Sequence, residues 1–381
     1  MASTVATGQL AALCGFERMT RRRLEALLAG REPAHALAVA SGDADPPAEV
    51  AALLRRDPTL AATWRESARR RPSDEWAERC AAGGIIALLP ADPRYPAQLL
   101  DEPERPPVLF ARGDPGVLDA RRVGVVGTRN ATQRGRQLAA RFGYELAAAG
   151  VVVVSGLAKG IDGAAHRGAL DVEGSKPVGI VGNGLDRPYP RHHVGLWERV
   201  AGRGALLSEW PPGTPPDAFR FPLRNRILAA LVEVLVVVES RERGGSLITA
   251  REAMDRDVAI LAVPGSVRSP ASRGTNRLLA DGATPALESS DVLVALGLDR
   301  RRAGRSRFDP RPLPRGLRAR VVTFCRSEAR TIEHVASHLE VDLGTAAIEL
   351  ARAERDGWLR ESGGWFETVD EWSDLAGEGA R

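Results

Sequence analysis

Val123-Gly-Val-Val-Gly-Thr-Arg129 and Val151-Val-Val-Val-Ser-Gly-Leu-Ala-Lys-Gly-Ile-Asp162 are short β-branched runs that end in glycine and polar residues. Each is followed by a helical pattern. Four further runs repeat the form: Val178 to Val181, Ala205 to Ser208, Val234 to Glu239 and Val258 to Val263. Most are continuously apolar rather than alternating, as in strands covered on both faces. Amphipathic stretches such as Gly135 to Ala149 and Leu247 to Met254 lie between them. Repeated strand–helix units predict an α/β fold with a parallel, doubly wound sheet.

Ligands of such a sheet bind beyond the carboxyl ends of its strands. Five of those ends carry glycine: Gly127-Thr128-Arg129, Ser155 to Asp162, Gly182 to Asp186, Arg243 to Thr249, and Pro264-Gly265-Ser266. Glycine lets backbone N–H groups approach an anion, and the helix N-termini that follow favour negative charge. Five such loops along one edge predict a phosphate-binding rim. No GxGxxG follows the first strand and no GxxxxGK[ST] occurs, which argues against a nicotinamide enzyme or a P-loop ATPase. No cofactor is expected.

The stretch Phe219-Arg220-Phe221-Pro222-Leu223-Arg224-Asn225-Arg226-Ile227 sets aromatic rings beside three arginines and an asparagine, just before an apolar helix. Ring stacking combined with guanidinium and backbone contacts holds single-stranded nucleic acid. The plainer alternative puts Phe219 and Phe221 in the core and the arginines in a solvated rim. The chain has two lysines, and one of them, Lys159, falls in a glycine-rich loop. Ser155, Asp162 and His166 are close in sequence, but no nucleophile elbow accompanies them. An Asp162–His166 contact one helical turn apart reads as helix stabilisation. His192-His193 lacks a partner carboxylate at helical spacing, so neither a catalytic residue nor a metal site is expected.

The chain has 381 residues, 44% of them apolar, with 53 basic and 49 acidic side chains. That apolar content excludes disorder as the main state. Cys14, Cys80 and Cys325 are far apart in sequence, which excludes a disulfide framework or a familiar zinc site and suits a reducing compartment. No run approaches the ~18 apolar residues of a membrane span. The opening Met1-Ala-Ser-Thr-Val lacks signal-peptide character, so the expectation is a soluble cytoplasmic protein without membrane contact. Basic residues are clustered. Arg121 to Arg136 holds five arginines and no acid, and Arg300 to Arg320 holds nine arginines against Asp309 alone. Such blocks are either solvated or attract polyanions. The first surrounds a glycine loop, which favours the polyanion.

Three regions follow, with a linker and a tail. Residues 1–90 read as a small helical domain, with Leu10, Leu13, Phe16, Leu24, Leu27 and Leu28 at helical spacing. The α/β domain is assigned to 91–299, and an Arg/Pro-rich linker to 300–318. Residues 319–372 read as three helices followed by a hairpin, the layout of a winged helix. Residues 373–381 form a tail.

The motifs Asp92-Pro-Arg-Tyr-Pro, Val126-Gly-Thr-Arg, Ser155-Gly-Leu-Ala-Lys-Gly-Ile-Asp, Gly182-Asn-Gly-Leu-Asp-Arg-Pro-Tyr-Pro, Phe221-Pro-Leu-Arg-Asn-Arg-Ile, Gly245-Ser-Leu-Ile-Thr-Ala and Arg273-Gly-Thr-Asn-Arg-Leu occur in this order. In that order and spacing the chain resembles the DNA-processing protein A family (DprA, also called Smf) over nearly its full length. The resemblance implies an extended Rossmann-like domain that binds single-stranded DNA in a basic pocket. It also implies dimerisation through that domain and delivery of RecA recombinase onto the strand during natural transformation. A sterile-alpha-motif-like (SAM-like) helical domain in front and a winged helix behind are implied as well. Carried over by motif, Arg129 and Arg224 are the principal phosphate contacts. Gly127, Thr128, Ser155, Gly156, Lys159, Gly160, Asn225, Arg226, Gly245, Ser246 and Thr249 support them, and Phe221 either stacks or braces. The chain departs from the family pattern at Arg134, His193 and Gly244. The competing reading is a nucleotide-binding protein or a phosphoribohydrolase-like enzyme acting on nucleoside monophosphates, with Glu252 as its acid.

Overall fold

The structure is a computed structural model that describes residues 4–298, 314–326 and 328–369. The chain divides into two compact units, Met1–Arg302 and Ala303–Arg381. Among its described residues the first contains nine strands: β1 (Ile85–Leu88), β2 (Leu109–Gly113), β3 (Arg122–Val126), β4 (Val152–Ser155), β5 (Val178–Ile180), β6 (Ala205–Ser208), β7 (Val234–Val237), β8 (Ala259–Ala262) and β9 (Thr284–Pro285). They form one sheet in the order β1-β2-β6-β5-β4-β3-β7-β8-β9. From β6 to β9 all pairings are parallel, whereas β1 with β2 and β2 with β6 are antiparallel.

All six strands expected from sequence are present. β1, β2 and β9 are additions to them. β2 (Leu-Phe-Ala-Arg-Gly) has no β-branched residue, and β1 (Ile-Ile-Ala-Leu) offers only two before the run ends. β9 has only two residues, both exposed.

Side-chain alternation feeds two cores. Val126, Val152, Val154, Leu235 and Val237 face helices Arg220–Leu231 and Gly245–Met254. Val123, Val125, Val153, Val234 and Val236 face helices Gln133–Ala148 and Ile161–Leu170. Each fully buried Val or Leu contributes about 1.5–3 kcal/mol, so both faces are firmly covered.

Helices Gln133–Ala148 and Ile161–Leu170 meet through glycines. A β-carbon on Gly168 would overlap the Ala140 carbonyl, and one on Gly143 would overlap that of Ala165.

Helices Thr4–Gly15, Arg21–Leu28, Pro33–Ser41, Ala48–Arg56, Pro58–Arg70 and Ser73–Ala82 precede the sheet. Their core residues Leu10, Leu13 and Trp64 belong to the same apolar cluster as Ile85, Phe110, Trp197 and Leu206. Arg79 of the last helix also pairs with Asp186 at 2.6 Å.

The second unit holds helices Leu317–Phe324, Ile332–Leu339 and Leu343–Arg355, then the hairpin of β10 (Leu359–Ser362) and β11 (Trp365–Thr368). Thr331 caps the second helix through its hydroxyl. Most of the Arg/Pro segment expected as a linker, and the 373–381 tail, lie outside the described residues. Arg318, at the end of that expected linker, already belongs to a helix and pairs with Glu349 and Asp356.

Candidate nucleic-acid interface

β3 lies between β4 and β7, and the loops leaving β3 and β7 diverge to helices on opposite faces of the sheet. That is the switch point where open parallel sheets bind ligands. The two loops are tied at their base by Thr128 N–H donating to the Glu239 carbonyl at 2.7 Å. Between them opens a cavity of about 400 Å³, lined in part by Arg129, Phe221, Arg224, Arg241, Arg243, Gly245 and Thr249. A second cavity, of about 260 Å³, is lined by Arg129, Gly156, Lys159, Asn183, Tyr189 and Phe221 among others. Arg129 and Phe221 line both.

Arg224 is the buried centre of the site, 5% exposed. Its guanidinium donates to the Gly156 carbonyl at 3.4 Å. A β-carbon on Gly156 would overlap that guanidinium, so the close approach requires glycine here. Asp162 accepts the Gly156 N–H at 3.1 Å. Burial pulls the Arg224 pKa down to about 10, with Asp162 opposing the shift and Arg129 adding to it. Arg224 therefore stays charged at neutral pH. Burial pushes the Asp162 carboxyl up, while the Arg224 charge and the Ala158 and Gly156 backbone hold it down. Among the described residues, Asp162 is the only carboxylate lining either cavity.

Arg129 is exposed, and its guanidinium stands 4.6 Å from the Phe221 ring centroid. On the same ring Tyr189 approaches to 5.6 Å at 31°. A cation and two rings thus form one stack beside a basic hollow, which suits a nucleobase with its phosphate.

Other expected site residues act as supports. Ser155 donates to the Val125 carbonyl at 2.6 Å, and the Ser246 hydroxyl bonds Ser240 at 2.9 Å. Gly127 is packed against Ile161. Gly160 opens helix Ile161–Leu170. Asn225 spans 3.5 Å to the Gly245 carbonyl. Arg226 lines neither cavity and pairs with Glu209 at 2.5 Å. The reason is the helix: the Phe219–Ile227 stretch forms its first turns rather than preceding it. Pro222 is tolerated in the first turn, where N–H groups lack helical partners. Two residues along a helix is about 200°, so Arg224 and Arg226 diverge.

Of the basic block Arg121 to Arg136, Arg121 and Arg122 are held by Glu233 and Arg136 by the Ala131 carbonyl. Arg129 is the one arginine of that block that lines these two cavities. Sequence reasoning placed Arg243 at the start of a rim loop without assigning it a contact, and gave no role to Arg241 or Tyr189. The alternating Arg241-Glu242-Arg243 just before Gly244-Gly245 was the available signal.

The expected Asp162–His166 contact is replaced by separate partners. Asp162 serves Gly156, and His166 Nε2 bonds the Val178 carbonyl at 3.1 Å. Ser155, Asp162 and His166 thus form no catalytic chain. Burial of His166 lowers its pKa to about 4. The unfolded chain therefore takes up this proton near pH 6.5 and the folded one near pH 4. Stability is expected to fall between those values by on the order of 3 kcal/mol. Urea denaturation at pH 7 and pH 5 checks this: wild type should lose about 2 kcal/mol more than His166→Gln. Equal losses in the two proteins would contradict it. His193, whose Nδ1 bonds the Leu157 carbonyl at 3.0 Å, braces the Lys159 loop. Among the described residues no group of His, Cys, Asp and Glu is arranged to hold a metal, and no helix is long and apolar enough to cross a membrane.

The chain is similar to known proteins both in sequence and in fold. The family model of DNA recombination-mediator protein A matches residues 87–297. The chain is 38% identical over 214 residues to DNA processing protein DprA of Bacillus subtilis, a match covering 56% of this chain and 72% of that protein. It is 40% identical over 211 residues to Protein Smf of Escherichia coli, covering 55% of this chain and 56% of the relative, so it spans about half of the latter's length. The structure of DNA processing protein A from Streptococcus pneumoniae superposes with TM-score 0.61 at 29% identity, over 77% of this chain and 97% of that one. A structure of DNA processing protein A from Helicobacter pylori, described for its single-stranded DNA binding mode, gives TM-score 0.52 at 28% identity, over 56% and 96%. With its Rossmann-like sheet, its motifs in order and its central region matched throughout, the chain belongs to the DNA recombination-mediator protein A family.

Proposed function

We propose that this protein is a non-catalytic binder of single-stranded DNA that works in the cytoplasm. In this reading it protects incoming strands and loads RecA onto them, as a homodimer joined through the Rossmann-like domain. One observation carries the DNA reading: Arg129, Arg224, Arg241, Arg243 and Lys159 converge on a two-lobed crevice with the Phe221 and Tyr189 rings, against one buried carboxylate. Guanidinium and ammonium groups hold phosphates, and the rings hold bases without reading sequence. Single-stranded DNA binding by the Helicobacter pylori relative supports the same ligand.

The enzyme alternative has less support. Glu252, its proposed acid, lines neither cavity and pairs with Arg256 at 2.8 Å. In the C-terminal unit, Leu343 and Ile348 are exposed on the third helix, and Arg352 is tied to Glu349 at 2.6 Å. That chemistry favours a partner-protein surface there over a duplex reader.

Fluorescence anisotropy with labelled oligo-dT and a matched duplex tests the proposal. With about four phosphate contacts, affinity for the single strand should fall roughly 10- to 100-fold between about 50 and 200 mM salt. The duplex should bind more weakly, because its bases cannot reach the rings. Salt-insensitive binding, or a preference for duplex, would overturn the assignment.

A further inference from the structure

Phe219 is 58% exposed, and among the described residues no other Phe, Tyr or Trp is more so. It is nevertheless held in place. Trp210 meets its ring edge-on, with centroids 6.5 Å apart at 86°. The Arg220 guanidinium lies 4.8 Å from both ring centroids. Arg220 is itself anchored by the Pro215 carbonyl at 2.7 Å and by the Asp217 carboxylate. The ring is therefore braced on one side by a cation and a tryptophan and open to water on the other. Leaving an aromatic ring in water forfeits most of its burial energy, and a free helix start needs no ring.

Its position relates it to the crevice. Ala218, its neighbour, lines the larger cavity, and Phe221 lies two residues further along the same helix start. About 100° per residue turns the two rings to different sides. The Cα atoms of the two residues are at most about 7 Å apart, a separation that successive nucleotides of one strand can bridge. We propose that Phe219, backed by Trp210 and Arg220, is a second stacking platform that takes a nucleobase of the same strand just outside the crevice. This rests on the single-strand reading above and adds the path the strand follows on leaving the pocket. Stacking of this kind is tolerant of base identity.

The test is anisotropy across an oligo-dT length series for wild type, Phe219→Ala, Phe219→Leu, Phe219→Trp and Arg129→Ala. On longer strands Phe219→Ala and Phe219→Leu should lose about 5- to 100-fold in affinity. On the shortest strand that wild type still binds, both should match wild type. Phe219→Trp should keep full affinity, and its indole emission should be quenched when long oligo-dT binds. If Phe219→Leu binds long strands like wild type, the residue supplies apolar packing only and the platform is refuted. If Phe219→Ala equals wild type at every length while Arg129→Ala fails to bind, the platform is refuted and the crevice reading stands. If Arg129→Ala also binds like wild type, both readings fall.

Discussion

Arg224→Ala is expected to abolish single-stranded DNA binding and to lower stability by roughly 2–3 kcal/mol. The two losses have different origins. Binding fails because the buried cation at the centre of the crevice is gone. Stability falls because Asp162, itself 6% exposed, loses the guanidinium charge that holds its buried carboxyl down against desolvation. Urea denaturation and oligo-dT anisotropy read the two effects separately. Asp162→Asn in the Arg224→Ala background should recover part of the stability and none of the binding, since it removes the unbalanced charge and supplies no cation. Arg224→Ala with wild-type stability would mean that Asp162 does not depend on this arginine. Arg224→Lys is not an adequate substitute, because a point charge lacks the planar fork that reaches the Gly156 carbonyl.

Gly168→Val should be nearly as damaging, through packing alone. Its side chain would meet the Ala140 carbonyl, and no rotamer change relieves an overlap with backbone. The helices have to separate, at about 3 kcal/mol, which calorimetry should register as a melting temperature lowered by roughly 6–12 °C. The displaced helix Ile161–Leu170 follows directly on the loop that carries Gly156 and Lys159, and it holds Asp162 in its first turn, so DNA affinity should drop with it. Gly202→Ala is the control. Nothing lies near a β-carbon at that helical position, and the change should be neutral or stabilising by up to about 1 kcal/mol. Equal melting temperatures for Gly168→Val and Gly202→Ala would refute the packing argument.

The parallel strands were legible because Val and Ile runs buried on both faces have no polar face to disguise them. Arg129 and Arg224 were named through motifs shared with the family, and the Phe219–Ile227 stretch drew attention because it sets rings beside guanidinium groups. What remained hidden depends on three-dimensional neighbours. Arg241 and Arg243 enter the crevice because β7 lies beside β3, a choice of strand order that no local pattern encodes. Tyr189 comes from the far side of β4 to reach the Phe221 ring. Arg226 was expected to support Arg224 while the segment was read as preceding the helix. As a helix, it presents the two arginines to different surroundings, one to the crevice and one to Glu209.

The placement of β3 also bears on how the chain is made. Val123 pairs with Val234, so the centre of the sheet joins segments between which β4, β5 and β6 are synthesised. Pairings this distant in sequence close late, because chain entropy opposes them. Until β7 has left the ribosome, the nascent protein carries an open β3 edge of Val and Gly, a template for wrong association. The crevice exists only after that edge is covered. A chain released short of β7 has Arg129 and Lys159 but no pocket to put them in, so only a chain extended past β7 can acquire the site.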